Sequence, residues 1–189
     1  MSNAVIASGL VASAVFGFAP QNSAMLAAGA ARTFRPVLDG MIASLCGWVA
    51  LFGLALVALH FSPPWVAGVS MVLASLVLAL AGLSRYLAQP ARSADPAPSA
   101  GGSSLQHLRS PESWAVAVFL AGSALSGSLT LAAAFAGLTL LTAFGLSLWA
   151  MAGWSGCQYL TSGWHRRHLD WGFGILMFMA AIASLVPAG

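Results

Sequence analysis

Lysine is absent from this chain, and charge of either sign is scarce. Seven arginines and four acidic residues make up the 6% of its 189 residues that are charged, against 59% that are hydrophobic. A soluble domain carries about 25% charged residues, so the composition excludes a surface solvated by water all round. The arginines are too few and too scattered to form a nucleic-acid-binding stripe. Only two cysteines occur, Cys46 and Cys157, with no Cys-x-x-Cys pattern and no basic neighbour to activate a thiol. The four histidines, His60, His107, His165 and His168, form no metal-ligand spacing with Cys or carboxylates. Arg166 and Arg167 would repel a cation from the last two. Neither a phosphate-binding glycine loop nor a nucleophile–base pair appears. No metal, no cofactor and no enzymatic chemistry are therefore expected.

What is present is long apolar sequence broken by three short charged windows. Arg32, Arg35 and Asp39 form the first; Arg85, Arg92, Asp95, Arg109 and Glu112 the second; Arg166, Arg167 and Asp170 the third. The uncharged blocks are 1–31, 40–84, 113–164 and 171–189. A membrane-spanning helix needs about 20 apolar residues. The blocks then hold one, two, two and one crossings, with turns at Ser62-Pro63-Pro64 and near Gly137. This gives an all-α integral membrane protein of six transmembrane helices, bounded by the lipid bilayer. All the arginines fall on one face, and arginine in short loops marks the cytoplasmic side. Both termini are expected outside, in a multi-pass protein of the cytoplasmic (inner) membrane. The first block has no positively charged n-region and its apolar run exceeds a signal peptide's, so it reads as a retained helix.

The first crossing is interrupted by Pro20-Gln21-Asn22. Proline removes a backbone donor and frees a carbonyl, and in lipid such groups must be satisfied internally. A broken helix with two amides near its middle suits a polar solute at mid-membrane depth. The alternative is a kink whose amides only join helices. Helix two is expected from about Val37 to His60, with Asp39 in its first turn, and helix three from Trp65 to about Tyr86. Residues 89–109 form a Pro/Ser/Ala/Gly-rich linker, dividing the chain into membrane repeats at 1–88 and 110–189. Three helices per half is compatible with a 3+3 inverted repeat. The second half opens on Ser110-Pro111-Glu112, a helix start with a serine N-cap, proline in the first turn and an acid against the dipole. Trp164 to His168 read as a loop before a last helix from Asp170 to Val186. Small-residue faces on the later helices are compatible with a homodimer.

The run Phe16-Gly17-Phe18-Ala19-Pro20-Gln21-Asn22, with Gly29 and Arg32 following, resembles the first-helix signature of the LysE/RhtB family of amino-acid exporters. Ser110-Pro111-Glu112-Ser113-Trp114 resembles the family's Asn-Pro-Lys landmark, with serine for asparagine and glutamate for lysine. Arg166 to Gly172 resembles its last basic loop. The resemblance implies a small inner-membrane exporter of amino acids or related metabolites, run on the proton gradient. It implies substrate contacts at Pro20, Gln21, Asn22, Ser110 and Pro111. Asp39 and Glu112 are the candidates for charge recognition or proton coupling. Two rival functions remain: a thiol–disulfide electron carrier using Cys46 and Cys157, and a non-transporting accessory subunit.

Overall fold

The computed structural model describes residues 3–17, 20–87, 107–156 and 163–186. Seven helices carry them: α1 (Asn3–Phe16), α2 (Pro20–Ala30), α3 (Phe34–His60), α4 (Pro64–Leu87), α5 (Pro111–Leu125), α6 (Leu131–Trp154) and α7 (Gly163–Leu185). Among the described residues, α3, α4, α6 and α7 are long and apolar enough to cross a membrane. α1 and α2 qualify only together, bent by 57° at a short break, the geometry of a broken span or a re-entrant loop; the pair is called the first span below. α5 has 15 residues, a rise of about 22 Å against a hydrocarbon core of about 30 Å. The chain is thus a multi-pass membrane protein, with four candidate spans among the described residues, or five counting the bent pair.

The distribution of side chains fits lipid. Leu54, Val57, Leu73, Leu80, Leu140, Phe144 and Met179 are exposed, whereas Ser13, Gln21, Asn22, Ser44, Ser75, Ser123 and Thr142 are buried. In water this would be inside out; in a bilayer, buried polar groups find partners only in the protein.

Each helix end has a local cause. α2 stops in a Schellman motif: Thr33 N–H bonds the Ala28 carbonyl and Arg32 N–H that of Gly29. Arg32 takes the left-handed position, φ +54°. The paired prolines at 63–64 end the α3 register and start α4 at Pro64. Two expectations need correction. The turn in the third block lies at residues 126–130, and Gly137 is inside α6. Gly127 at φ +73° makes that turn; the Ser123 carbonyl accepts from Leu129 N–H and Ser128 Oγ, and Thr130 caps α6. Residues 165–170 are not a loop but the first turns of α7. Their helix is supported on one face, where the Arg167 guanidinium lies 4.5 Å from the Trp171 ring and His168 meets that ring edge-on.

The bundle is held by close helix crossings at small residues. A Cβ on Gly153 would collide with the Leu26 carbonyl oxygen, and one on Gly29 with that of Ala150, so α2 and α6 meet backbone to backbone. Gly82 and Gly174 do the same for α4 and α7. α4 packs chiefly on α7 and α5; α1 on α7, α6 and α5; α2 on α6 and α3; α3 on α5 and α6. The apolar core between them centres on Leu10, Val15, Trp48, Leu51, Leu78, Val116, Leu138 and Met177.

Candidate functional site: the break in the first span

The break places the C-terminal carbonyls of α1 against the first turn of α2. Asn22 satisfies two of them. Its Nδ2 donates to the Val15 carbonyl at 2.6 Å and to the Gly17 carbonyl at 2.7 Å. The side chain is fully buried, and its Oδ1 has no hydrogen-bond partner. Asn22 therefore splices the broken helix with its donor side and leaves a buried acceptor on the other. An unmet acceptor in a dry interior costs about 1–3 kcal/mol, so it marks a position that a donor would stabilise.

A third carbonyl of the same turn, that of Ser13, accepts from Arg85 Nη1 at 3.1 Å. Arg85 stands in the last turn of α4. Its guanidinium also forms a two-pronged pair with Glu112, Nε to Oε1 at 3.3 Å and Nη2 to Oε2. Both side chains are mostly shielded, 19% and 23% exposed. Glu112 lies in the first turn of α5, where the dipole favours an anion, and Arg85 sets a cation against the carbonyl end of α1, whose Ser13 oxygen also accepts from Gly17 N–H. One ion pair thus joins the broken first span to the opening helix of the second half.

Gln21 belongs to a second polar chain. Ser44 Oγ, on α3, donates to Gln21 Oε1 at 3.4 Å. The same hydroxyl is 2.9 Å from His107 Nε2, and His107 Nδ1 is 3.3 Å from Ser113 Oγ on α5. The imidazole also lies against the Trp48 indole, ring centres 4.8 Å apart. Burial lowers the His107 pKa from 6.5 to about 4, leaving the ring neutral at physiological pH. With the Ser44 hydroxyl proton given to Gln21, the matching tautomer has Nε2–H donating to Ser44 and Nδ1 accepting from Ser113. Trp48 Nε1 and Thr142 Oγ1 are further buried groups without a partner. Trp48 is one turn from Ser44. Thr142 is one turn from Gly145, which abuts Val15 and Phe16 at the end of α1.

The structure brings Gln21, Asn22, Ser110 and Glu112 to this one region. Ser110 caps α5 by accepting from Ser113 N–H at 3.3 Å, and Pro111 is the first residue of α5. Pro20 opens α2, where a missing N–H is tolerated. Asp39 stays apart: it is exposed and pairs with Arg35 at 3.9 Å. Cys46 is a free, exposed thiol on α3, and Cys157 lies outside the described residues. His107, Ser44, Ser113, Trp48 and Arg85 were not singled out as site residues from the sequence. Two apolar hollows flank the region. One, about 530 Å³, lies beside the second half of α2 between Val37, Met41, Ser147 and Met151. The other, about 200 Å³, is walled by Phe16, Trp149 and Phe173. Neither is lined by Gln21 or Asn22. No group of three or more His, Cys or carboxylate side chains suited to a metal occurs among the described residues.

Fold and site together define a class, a multi-pass helical membrane protein with a polar break in its first span. Comparison with protein-family models, with curated proteins and with solved structures finds no match to the chain.

Proposed function

We propose that this protein is a secondary exporter of the LysE/RhtB type, moving amino acids or related small metabolites out across the cytoplasmic membrane. The observation that carries the reading is Asn22: a buried amide at a helix break, with its donors committed to the backbone and its acceptor unmet. A break of this kind offers carbonyl ends, N–H ends and amides within one dry region. A zwitterion has a group for each, an ammonium for Asn22 Oδ1 and a carboxylate for an amide donor. The Arg85–Glu112 pair would then close the region on the side of the arginine-bearing loops, which the charge rule puts in the cytoplasm. Proton coupling, if it runs through a carboxylate, falls to Glu112 rather than to the exposed Asp39.

The packing pattern supports an inverted repeat. Let the α1–α2 pair exchange with α5, α3 with α6, and α4 with α7. Each main packing pair then maps onto another main pair or onto itself: α1–α7 onto α5–α4, α2–α6 onto α5–α3, α2–α3 onto α5–α6. The α4–α7 crossing, where Gly82 and Gly174 face each other, maps onto itself. On this reading α5 is the counterpart of the broken span and supplies the sixth crossing.

Equilibrium binding to the purified protein in lipid nanodiscs tests the reading, with each of the twenty protein amino acids as radiolabelled probe. At least one should bind, and Gln21→Ala should weaken it while leaving the unfolding transition in place. Absence of binding across the panel would count against an amino-acid carrier.

A further inference from the structure

His107 is buried, held at both ring nitrogens, and far from the break in sequence. Its hydroxyl partner Ser44 is 63 residues away, and beyond Ser44 lies Gln21. Ser44 Oγ has one proton, and it is given to Gln21 Oε1. With that proton given to Gln21, the hydroxyl meets His107 Nε2 at 2.9 Å as an acceptor, in the Nε2–H tautomer. In this arrangement the Gln21 carbonyl is held toward Ser44, and Nε2 is turned the other way. Without the imidazole, Ser44 loses its donor and gains freedom to rotate, and the amide can flip.

We propose that His107 is a positioning residue for the break, acting through Ser44 to hold the Gln21 amide so that its Nε2 donors face the solute's carboxylate. The inference deepens the exporter reading and rests on it for the identity of the solute. His107 does not touch the solute itself.

The same contact makes the site responsive to protons. Facing the imidazole are Ser44 and Trp48 from α3 and Ser113 from α5. The charged side chains of those helices are engaged elsewhere, Asp39 with Arg35 and Glu112 with Arg85. His60 is at the far end of α3, and Arg109, on the same turn as His107, is exposed. A buried imidazolium would have hydroxyls and an indole face but no anion, so the proton is taken up by the form in which the ring has left its place. Burial lowers the pKa from 6.5 to about 4. Between pH 7 and pH 5 the released form therefore gains about 20-fold over the held form. Most of that change falls below pH 6.5.

The test uses the full chain in nanodiscs, the binding panel above, and His107→Ala, His107→Gln and Ser44→Ala variants. Glutamine can donate to Ser44 but does not titrate. His107→Ala and Ser44→Ala should each raise the half-saturating concentration about tenfold, the value of one hydrogen bond to a charged group. His107→Gln should stay within about twofold of the parent and lose the weakening between pH 7 and 5. Equal weakening by alanine and glutamine, or a pH profile that persists in His107→Gln, would overturn the proposal. A second reading needs no ligand. In ring-¹³C-histidine spectra, the signal lost in His107→Gln should show the Nε2–H tautomer at pH 6, and should change tautomer or begin to titrate in Ser44→Ala. An imidazolium at pH 6, or no response to Ser44→Ala, overturns the hydrogen-bond chain even if no amino acid binds. Failure of binding with the expected spectra overturns only the choice of solute.

Discussion

Removing the Asn22 side chain should unfasten the first span. Its Nδ2 serves two buried carbonyls, Val15 and Gly17, at 2.6 and 2.7 Å. Leaving a buried backbone acceptor without a donor costs about 1–3 kcal/mol. Two such losses, less the relief of deleting the unpartnered Oδ1, give a net destabilisation of about 2–3 kcal/mol for Asn22→Ala. The comparison that isolates the cause is Asn22→Leu. Alanine leaves room for a water that can replace part of the lost donor; leucine fills the space and excludes it. If hydrogen bonding holds the break, leucine is at least as damaging as alanine. Reversible unfolding in mixed micelles, followed by far-ultraviolet circular dichroism against denaturing detergent, reads the difference. An Asn22→Leu protein within about 0.5 kcal/mol of the parent would show that volume, not the donor, matters there, a threshold set by the spread of neutral substitutions.

Further substitutions probe the crossings, the turn and the ion pair. Gly153→Ala should cost more than about 2 kcal/mol and reduce folded yield, because its Cβ would meet the Leu26 backbone rather than a movable side chain. Gly137→Ala should be neutral or stabilise by up to about 1 kcal/mol, since it lies inside α6 with open space around it. Gly127→Ala should destabilise by about 1 kcal/mol, because φ +73° is reached by glycine without the steric cost a Cβ brings. Glu112→Gln should cost about 1–3 kcal/mol, a partly shielded pair falling between surface and buried values. The exchange Arg85→Glu with Glu112→Arg should fail to restore stability. It removes the donor to the Ser13 carbonyl and sets each charge against the wrong helix end.

Much of the helix plan follows from local signals. The charged windows punctuate the apolar runs, Pro63-Pro64 starts α4, and Pro20 marks the break. The missed turn at Gly127 lay in a stretch dense in Ala, Gly and Ser, where α6 is apolar on all sides and small residues recur at every turn. Gly127 stands between Ser126 and Ser128, a turn signal, whereas Gly137 stands between Ala136 and Leu138, so the local signal for the turn was there at Gly127. The start of α7 was hidden for a different reason. His165 to Asp170 have the charge of a loop but lie within α7, with the Arg167 guanidinium over the Trp171 ring one turn on. The site was half legible. Gln21 and Asn22 stand beside a proline in an apolar run, which is a local anomaly. Arg85 and His107 act across 27 and 63 residues, and one sequence carries no signal for pairings at that range. The structure also changes what Asn22 means: its donors are spent on the backbone, so Gln21 is the cleaner probe of solute contact.

Efflux decides the central claim most directly. Cells expressing the protein are preloaded with labelled amino acids, and release is timed beside cells expressing Gln21→Ala at equal abundance. The account predicts release of at least one amino acid above background, slowed by Gln21→Ala while folded protein in the membrane is unchanged. Release that is equal in both, or absent for every amino acid with the parent chain, would contradict a solute site at the break.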